Sequence, residues 1–151
     1  MRRAGLPVLV LVAVLVLAAF GSFNDGAWAN GGRPLSTILI GAEEVPGPGD
    51  PDGIGTAHLT LNPGQDEVCW DINVSNITLP ATAAHIHIAP RGVAGPVVVP
   101  LSAPGADGRS TGCTSASRDL ILDIIRNPEN YYVNVHTRDY PAGAVRGQLG
   151  K

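Results

Sequence analysis

The sequence has few basic residues and few basic clusters, and this scarcity limits the class of partner. Only 15% of the 151 residues are charged, and the formal net charge is −3. Domains that bind nucleic acids concentrate Lys and Arg on one face to neutralise phosphates. We therefore expect no nucleic-acid partner.

The settings that common active sites require are also missing. The letters G-x-S-x-G occur at residues 108–112, but Ser110, like Ser115 and Ser117, lies in a polar connection rather than in the strand-to-helix turn of a nucleophile elbow. Its carboxylates are scattered, whereas glycoside hydrolysis needs a facing pair. Gly47-Pro48-Gly49 does not lead into a phosphate-binding helix. No catalytic residue is predicted, and the sequence favours a protein that is not an enzyme.

Long apolar runs are absent except near the N-terminus. There, Met1-Arg2-Arg3 precedes an apolar run from Leu6 to Phe20, and Ala27-Trp28-Ala29 forms a cleavage pattern before Asn30. This order is typical of a secretory signal, and the run is shorter than the roughly 20 residues of a membrane span. We predict a signal peptide at residues 1–29 and a single secreted or periplasmic domain at residues 30–151, with no membrane span after cleavage. An uncleaved N-terminal anchor is the alternative.

Cleavage changes the charge and the expected chemistry of the remaining chain. Residues 30–151 carry eight basic and twelve acidic residues, a formal charge of −4. Cys69 and Cys113 are the only cysteines, and they lack the C-x-x-C spacing of metal and redox sites. Two cysteines in an oxidising compartment predict a disulfide. Asn73 and Asn76 begin glycosylation sequons, which matter only in a host that glycosylates.

Glycine and proline together make about a fifth of the chain, with 19 and 13 residues. They break helices, which excludes a helical bundle. Between them, apolar residues alternate with polar ones, as in strands with one buried face. This pattern predicts an all-β fold, a Greek-key β-sandwich or small barrel, immunoglobulin-like or superoxide dismutase-like. The predicted strands cover residues 35–40, 56–61, 68–74, 83–88, 97–101, 131–137 and 144–149, and residues 62–65 form a hairpin turn.

One short helix interrupts this alternation. Between Ser117 and Arg126 the apolar residues recur at helical spacing. Ser117 is the predicted N-cap, and Asn127-Pro128 ends the helix. The helix should cross an end or a face of the β fold. Its apolar residues are Leu120, Ile121, Ile124 and Ile125.

The histidines are the main chemical feature. His85 and His87 are two residues apart on a predicted strand, so their side chains share one face. His136 shares the polar face of another predicted strand with Asn134. If these strands are neighbours, three imidazoles converge, which suits copper, zinc or nickel.

A structural interpretation of the histidines stands beside the metal site. An H-x-H pair on a strand is a modest signal, and the same side chains can hydrogen-bond to loops that fold over the sheet. His58 is expected to be a solvated strand residue.

Six short segments of the chain carry a resemblance to a known family. They are LIGAEEVP at 39–46, AAHIH at 83–87, GVAGPVV at 92–98, NP at 127–128, YYVNVHT at 131–137 and YPAGAVRGQL at 140–149. Together they resemble the CHRD domain over about residues 35–150. The resemblance implies an all-β extracellular domain without a catalytic activity, and it does not extend growth-factor binding to this single-domain chain.

A fainter likeness is to copper/zinc superoxide dismutase. That fold is similar in its H-x-H strand and in a glycine-rich C-terminal strand that bears an arginine, here His85, His87 and Arg146. The resemblance implies a copper site with Arg146 near its open position. The bridging histidine and the further zinc ligands have no match here, so a mononuclear site is the most that the likeness supports.

Two hypotheses follow. The first is an exported, non-catalytic binding or structural module whose extracellular or periplasmic partner the sequence does not identify. The alternative is a copper or zinc protein with His85, His87 and His136 as ligands and with Arg146 and Asn134 near the site. A superoxide dismutase-like enzyme requires this second hypothesis and more ligands besides.

Overall fold

Eight strands and one helix form the fold in a computed structural model that describes residues 31–150. The predicted signal peptide, residues 1–29, lies outside the described residues. Two short 3-10 turns, Gly41–Glu43 and Pro128–Asn130, complete the elements. The strands are β1 (Arg33–Ile40), β2 (Ile54–Asn62), β3 (Glu67–Ser75), β4 (Ala83–Ile88), β5 (Val97–Leu101), β6 (Arg109–Ser115), β7 (Tyr131–His136) and β8 (Val145–Gln148), and the helix is α1 (Arg118–Arg126).

The strands form one antiparallel sheet in the order β5-β4-β7-β8-β1-β2-β3-β6. The sheet curls so that its two end strands, β5 and β6, come close together. Near this junction the Ser110 hydroxyl donates a 2.6 Å hydrogen bond to the carbonyl of Ser102. The sheet is therefore a nearly closed barrel, which confirms the prediction of a small all-β barrel or sandwich.

The barrel interior is filled by the alternating apolar residues that the sequence predicted. On β2 and β3 every second side chain is buried, and the intervening ones are more exposed. The helix adds Ile121 and Ile124 to the same core. The Ser117 side chain accepts a 3.3 Å hydrogen bond from the Leu120 amide, so the predicted N-cap is confirmed. No helix among residues 31–150 is long and apolar enough to cross a membrane.

The prediction of seven strands was wrong by one, because β6 was interpreted as a polar connection. Its sequence, RSTGCTS, has no apolar alternation. As an end strand it pairs in the sheet with β3 alone, and Ser110 is its only fully buried residue. The Trp70 ring lies against Gly112, where a Cβ would approach its Cζ2 atom to 2.6 Å. A neighbouring tryptophan therefore covers the strand, which needs no large apolar side chains of its own.

A disulfide joins β3 to this end strand. Cys69 and Cys113 are directly opposite each other in the β3–β6 pairing, and their sulfurs are bonded. The two residues are 44 positions apart in the sequence, with β4 and β5 between them. The bond therefore restricts a long loop of the unfolded chain, which lowers the entropy gained on unfolding.

We expect the double variant Cys69→Ser/Cys113→Ser to unfold more easily than the wild type. Loss of a cross-link over a loop of this length lowers the free energy of unfolding by about 3–4 kcal/mol, measurable by urea denaturation. The wild type kept in a thiol reductant is the control and should match the variant. Mass spectrometry of the non-reduced chain should show it two hydrogens lighter than the reduced chain, and equal masses would refute the bond.

Candidate functional site

The two strands that carry the candidate ligands are neighbours. In the β4–β7 pairing His85 lies opposite Asn134, and His136 lies opposite Ala83, one step further along the same face. His85, His87 and His136, hereafter the histidine cluster, each place one ring nitrogen within 4.8 Å of the other two. Convergence of the three imidazoles, which the sequence made conditional on strand pairing, is present in the structure.

Backbone carbonyls fix the tautomers of two of these rings. Nδ1 of His87 lies 2.8 Å from the carbonyl oxygen of Gly95, and Nδ1 of His136 lies 3.0 Å from that of Pro141. A carbonyl oxygen only accepts, so each Nδ1 carries the hydrogen and each Nε2 of the neutral ring holds a lone pair. Both lone pairs belong to nitrogens of the cluster.

The cluster is short of hydrogen-bond partners for these lone pairs. Nε2 of His87 is buried and has no hydrogen-bond partner. Nε2 of His136 lies 3.2 Å from Nδ1 of His85 and 3.1 Å from Oδ1 of Asn134. Nδ1 of His85 can therefore donate a hydrogen to Nε2 of His136, whereas Nε2 of His87 has no donor.

Burial favours the neutral form of His85 and His136. Desolvation is the main cause that lowers the pKa of His85 below its usual 6.5, and the nearby His136 and His87 lower it further. Desolvation also lowers the pKa of His136, against a smaller raising effect of the hydrogen bond to Pro141. Neutral imidazole is the form that binds a metal ion.

An aromatic stack supports the cluster from one side. The Tyr132 ring stacks on His87 with 4.7 Å between ring centroids and 6° between planes. The Arg146 guanidinium lies 3.4 Å from the same ring's centre. Since β7 lies between β4 and β8 in the sheet, Tyr132 separates Arg146 from His87. Arg146 thus reaches the cluster through Tyr132 rather than directly.

Arg146 also holds the loop that covers the cluster. It is fully buried and donates hydrogen bonds to the carbonyls of Val93 at 2.9 Å and Pro90 at 3.2 Å. Gln148 donates to the carbonyl of Ala89 at 2.8 Å. The same loop supplies the Gly95 carbonyl that orients His87. Arg146 and Gln148 of β8 therefore fix the loop that orients His87, one of the three candidate ligands.

Glu44 is a buried acid that sequence reasoning did not single out. It is 5% exposed, and Oε1 of its carboxyl has no hydrogen-bond partner. Desolvation raises its pKa from 4.5 to about 7, while the charge of Arg146 and hydrogen bonds from Val45 and Asn134 act in the opposite direction. A Cβ at Gly143 would collide with this carboxyl, so the glycine provides its space. The one available signal was the position of Glu44 within LIGAEEVP, the first matching segment.

His58 is not part of the cluster. It is exposed on β2, opposite Asp71 of β3, as the sequence predicted. A second group of potential ligands among the described residues consists of Glu67, Cys69 and Cys113. Its two sulfurs are bonded to each other, so no thiolate is available there.

The buried carboxyl gives a pH-dependent stability. Because folding raises the pKa of Glu44 from 4.5 to about 7, its stabilising contribution is complete below pH 4.5 and is lost as the pH rises to 7. Glu44→Gln mimics the protonated form at every pH. We expect this variant to gain stability over the wild type between about pH 5 and pH 8, by at most about 3 kcal/mol.

Urea unfolding of both proteins across that range measures the gain. Glu129→Gln, at an exposed carboxyl, is the matched control, and the two variants should diverge as the pH rises. A difference between Glu44→Gln and the wild type that stays constant with pH contradicts the prediction.

Comparisons with known proteins agree with the resemblance noted in the sequence. The family model of the CHRD domain matches residues 35–149. Searches of curated proteins and of solved structures found no significant match. The matched range spans β1 to β8 and includes every residue of the histidine cluster. The chain belongs to the CHRD domain family, whose members are modules of an extracellular, non-catalytic type.

Proposed function

We propose that this chain is an exported, non-catalytic binding module whose ligand is one divalent transition-metal ion, copper or zinc, held by His85, His87 and His136. The observation that carries the proposal is the convergence of three ring nitrogens within 4.8 Å. Zinc is bound by three or four such groups in proteins, and imidazole also suits copper.

The hydrogen bonds of the cluster favour a metal site over a purely structural one. The bonds to Gly95 and Pro141 do tether two loops, as the structural interpretation expects. They use only Nδ1, however, and leave Nε2 of His87 buried and unpaired, at a cost of about 1–3 kcal/mol. Metal-bound histidines commonly give their other N–H to a backbone carbonyl in this way. A bound ion accounts for both nitrogens, whereas loop tethering accounts for one.

The available donors limit the chemistry to a single ion. Neutral imidazoles favour copper or zinc, and both cysteines are unavailable as thiolates. A superoxide dismutase-like centre requires additional ligands for a second metal. His58, the fourth histidine, is exposed on β2 and lies outside the cluster. The proposal is therefore mononuclear metal binding without a reaction.

Export rests on separate observations. The basic start, the apolar run and the A-x-A pattern of residues 1–29 are typical of a secretory signal. A disulfide between Cys69 and Cys113 suits an oxidising compartment. We propose that residues 30–151 work in the periplasm or outside the cell.

Metal binding is tested by isothermal titration of the metal-free chain with Cu²⁺ and with Zn²⁺. We expect one ion per chain, and an ion at 100 times its Kd should stabilise the fold by about 2.7 kcal/mol. His87→Ala should abolish binding because it removes the buried, unpaired nitrogen. His58→Ala is the matched control and should bind as the wild type does. Absence of saturable binding by the wild type would reject the proposal.

Export is tested by expressing the full chain in a bacterium and separating its compartments. We expect the protein outside the cytoplasm, and N-terminal sequencing should begin at Asn30 because signal peptidase cleaves after Ala29. Ala27→Arg/Ala29→Arg, which destroys the cleavage pattern, should leave the signal attached. Recovery of the wild type in the cytoplasm with residue 1 or 2 at its start would contradict export.

A further inference from the structure

Asn134 lies at the centre of the histidine cluster, although it belongs to no group of typical metal-binding side chains. It is two residues before His136 on β7 and directly opposite His85 on β4. Its side chain points to the same face as both histidines, because residues two apart on one strand and opposite residues on paired strands share a face. It is only 3% exposed. Any atom that Asn134 presents to the cluster is therefore shielded from solvent.

The contact between Asn134 and His136 joins two acceptors. Nδ1 of His136 donates its hydrogen to Pro141, so Nε2 holds a lone pair. The atom 3.1 Å from this Nε2 is Oδ1 of Asn134, which also only accepts. Nδ1 of His85, 3.2 Å from the same Nε2, can donate one hydrogen to this pair of acceptors, whereas a bound cation accepts a lone pair from each of them.

The carboxyl of Glu44 favours one of the two orientations of the Asn134 side-chain amide. Amide orientations are assigned from the hydrogen bonds around them. The Asn134 amide acts on the buried carboxyl of Glu44 and lowers its pKa, and an ionised carboxyl is favoured by the amide NH₂ group rather than by Oδ1. The orientation that satisfies Glu44 turns Oδ1 toward the histidines. It thereby places an oxygen lone pair beside the lone pairs of the rings.

We propose that Oδ1 of Asn134 is the fourth ligand of the metal ion, completing a set of three imidazole nitrogens and one amide oxygen. This inference rests on the proposed function. It also specifies the oxidation state of the ion. Soft sulfur ligands select Cu(I), whereas imidazole with a carbonyl-type oxygen suits Cu(II) and Zn(II). The site therefore prefers Cu(II) and Zn(II) to Cu(I).

Two substitutions at Asn134 test whether this residue is a metal ligand or has only a structural role. Asn134→Leu has a similar size and no oxygen, so it should weaken Zn²⁺ binding by roughly 10- to 100-fold. Asn134→Asp keeps an oxygen at the same place and should bind Zn²⁺ at least as tightly as the wild type. Asn73→Leu, on β3 and outside the cluster, is the matched control and should leave the affinity unchanged. Circular dichroism checks that each variant is folded.

Electron paramagnetic resonance of the Cu²⁺-loaded chains reports the ligand directly. In Asn134→Asp the oxygen donor changes from an amide oxygen to a carboxylate oxygen. We therefore expect the parallel g value and the copper hyperfine splitting of this variant to differ from those of the wild type. The spectrum of Asn73→Leu should match that of the wild type. An Asn134→Asp spectrum identical to the wild type overturns the fourth ligand, even if Asn134→Leu does not fold. Unchanged Zn²⁺ affinity in a folded Asn134→Leu also overturns it while leaving the proposed function intact. A wild type that binds neither ion overturns both.

Discussion

The candidate site depends on the buried guanidinium of Arg146. This group is fully buried on β8, packs on the Tyr132 ring and bonds to two carbonyls of the loop between β4 and β5. The loop in turn supplies the carbonyl that orients His87. One cation therefore holds together β8, β7 and the loop between β4 and β5, which are distant in the sequence. Because a buried charge is costly without partners, these contacts are obligatory for the fold as well as for the site.

Much of the fold was predictable because the core uses simple alternation. On β2 and β3 apolar and polar residues alternate without interruption, and the structure buries the apolar face as predicted. The helix was predictable for a similar reason, since its cap and its apolar spacing are local properties of the sequence. The strand β6 was not predictable in this way. Its polar sequence is tolerated because Trp70 of another strand covers it, which is a long-range property.

In the candidate site, too, local features were predictable from the sequence and long-range features were not. The shared face of His85 and His87 follows from their spacing, and only the pairing of β4 with β7 had to be supplied by the structure. Asn134 was predicted near the site because it shares a strand face with His136, whereas Glu44 gave no such signal, because a carboxyl in a polar segment usually faces water. Their burial follows from loops that fold over the outer face of the sheet, and periodicity describes only the strands. The role proposed for Asn134 as a fourth ligand follows from the hydrogen bonds, which the sequence does not show.

The strand order has a consequence for when the site can form. The proposed ligands lie on β4 and β7, and Arg146, which holds the loop that orients His87, lies on β8, so the candidate site joins segments some 60 residues apart in the chain. A chain that emerges from a secretion channel from its N-terminal end exposes the H-x-H pair long before the remaining parts. Contacts of such long sequence separation form late in folding. Under the proposed function, metal binding therefore requires the completed barrel, and the compartment in which folding is completed decides which ion the protein meets.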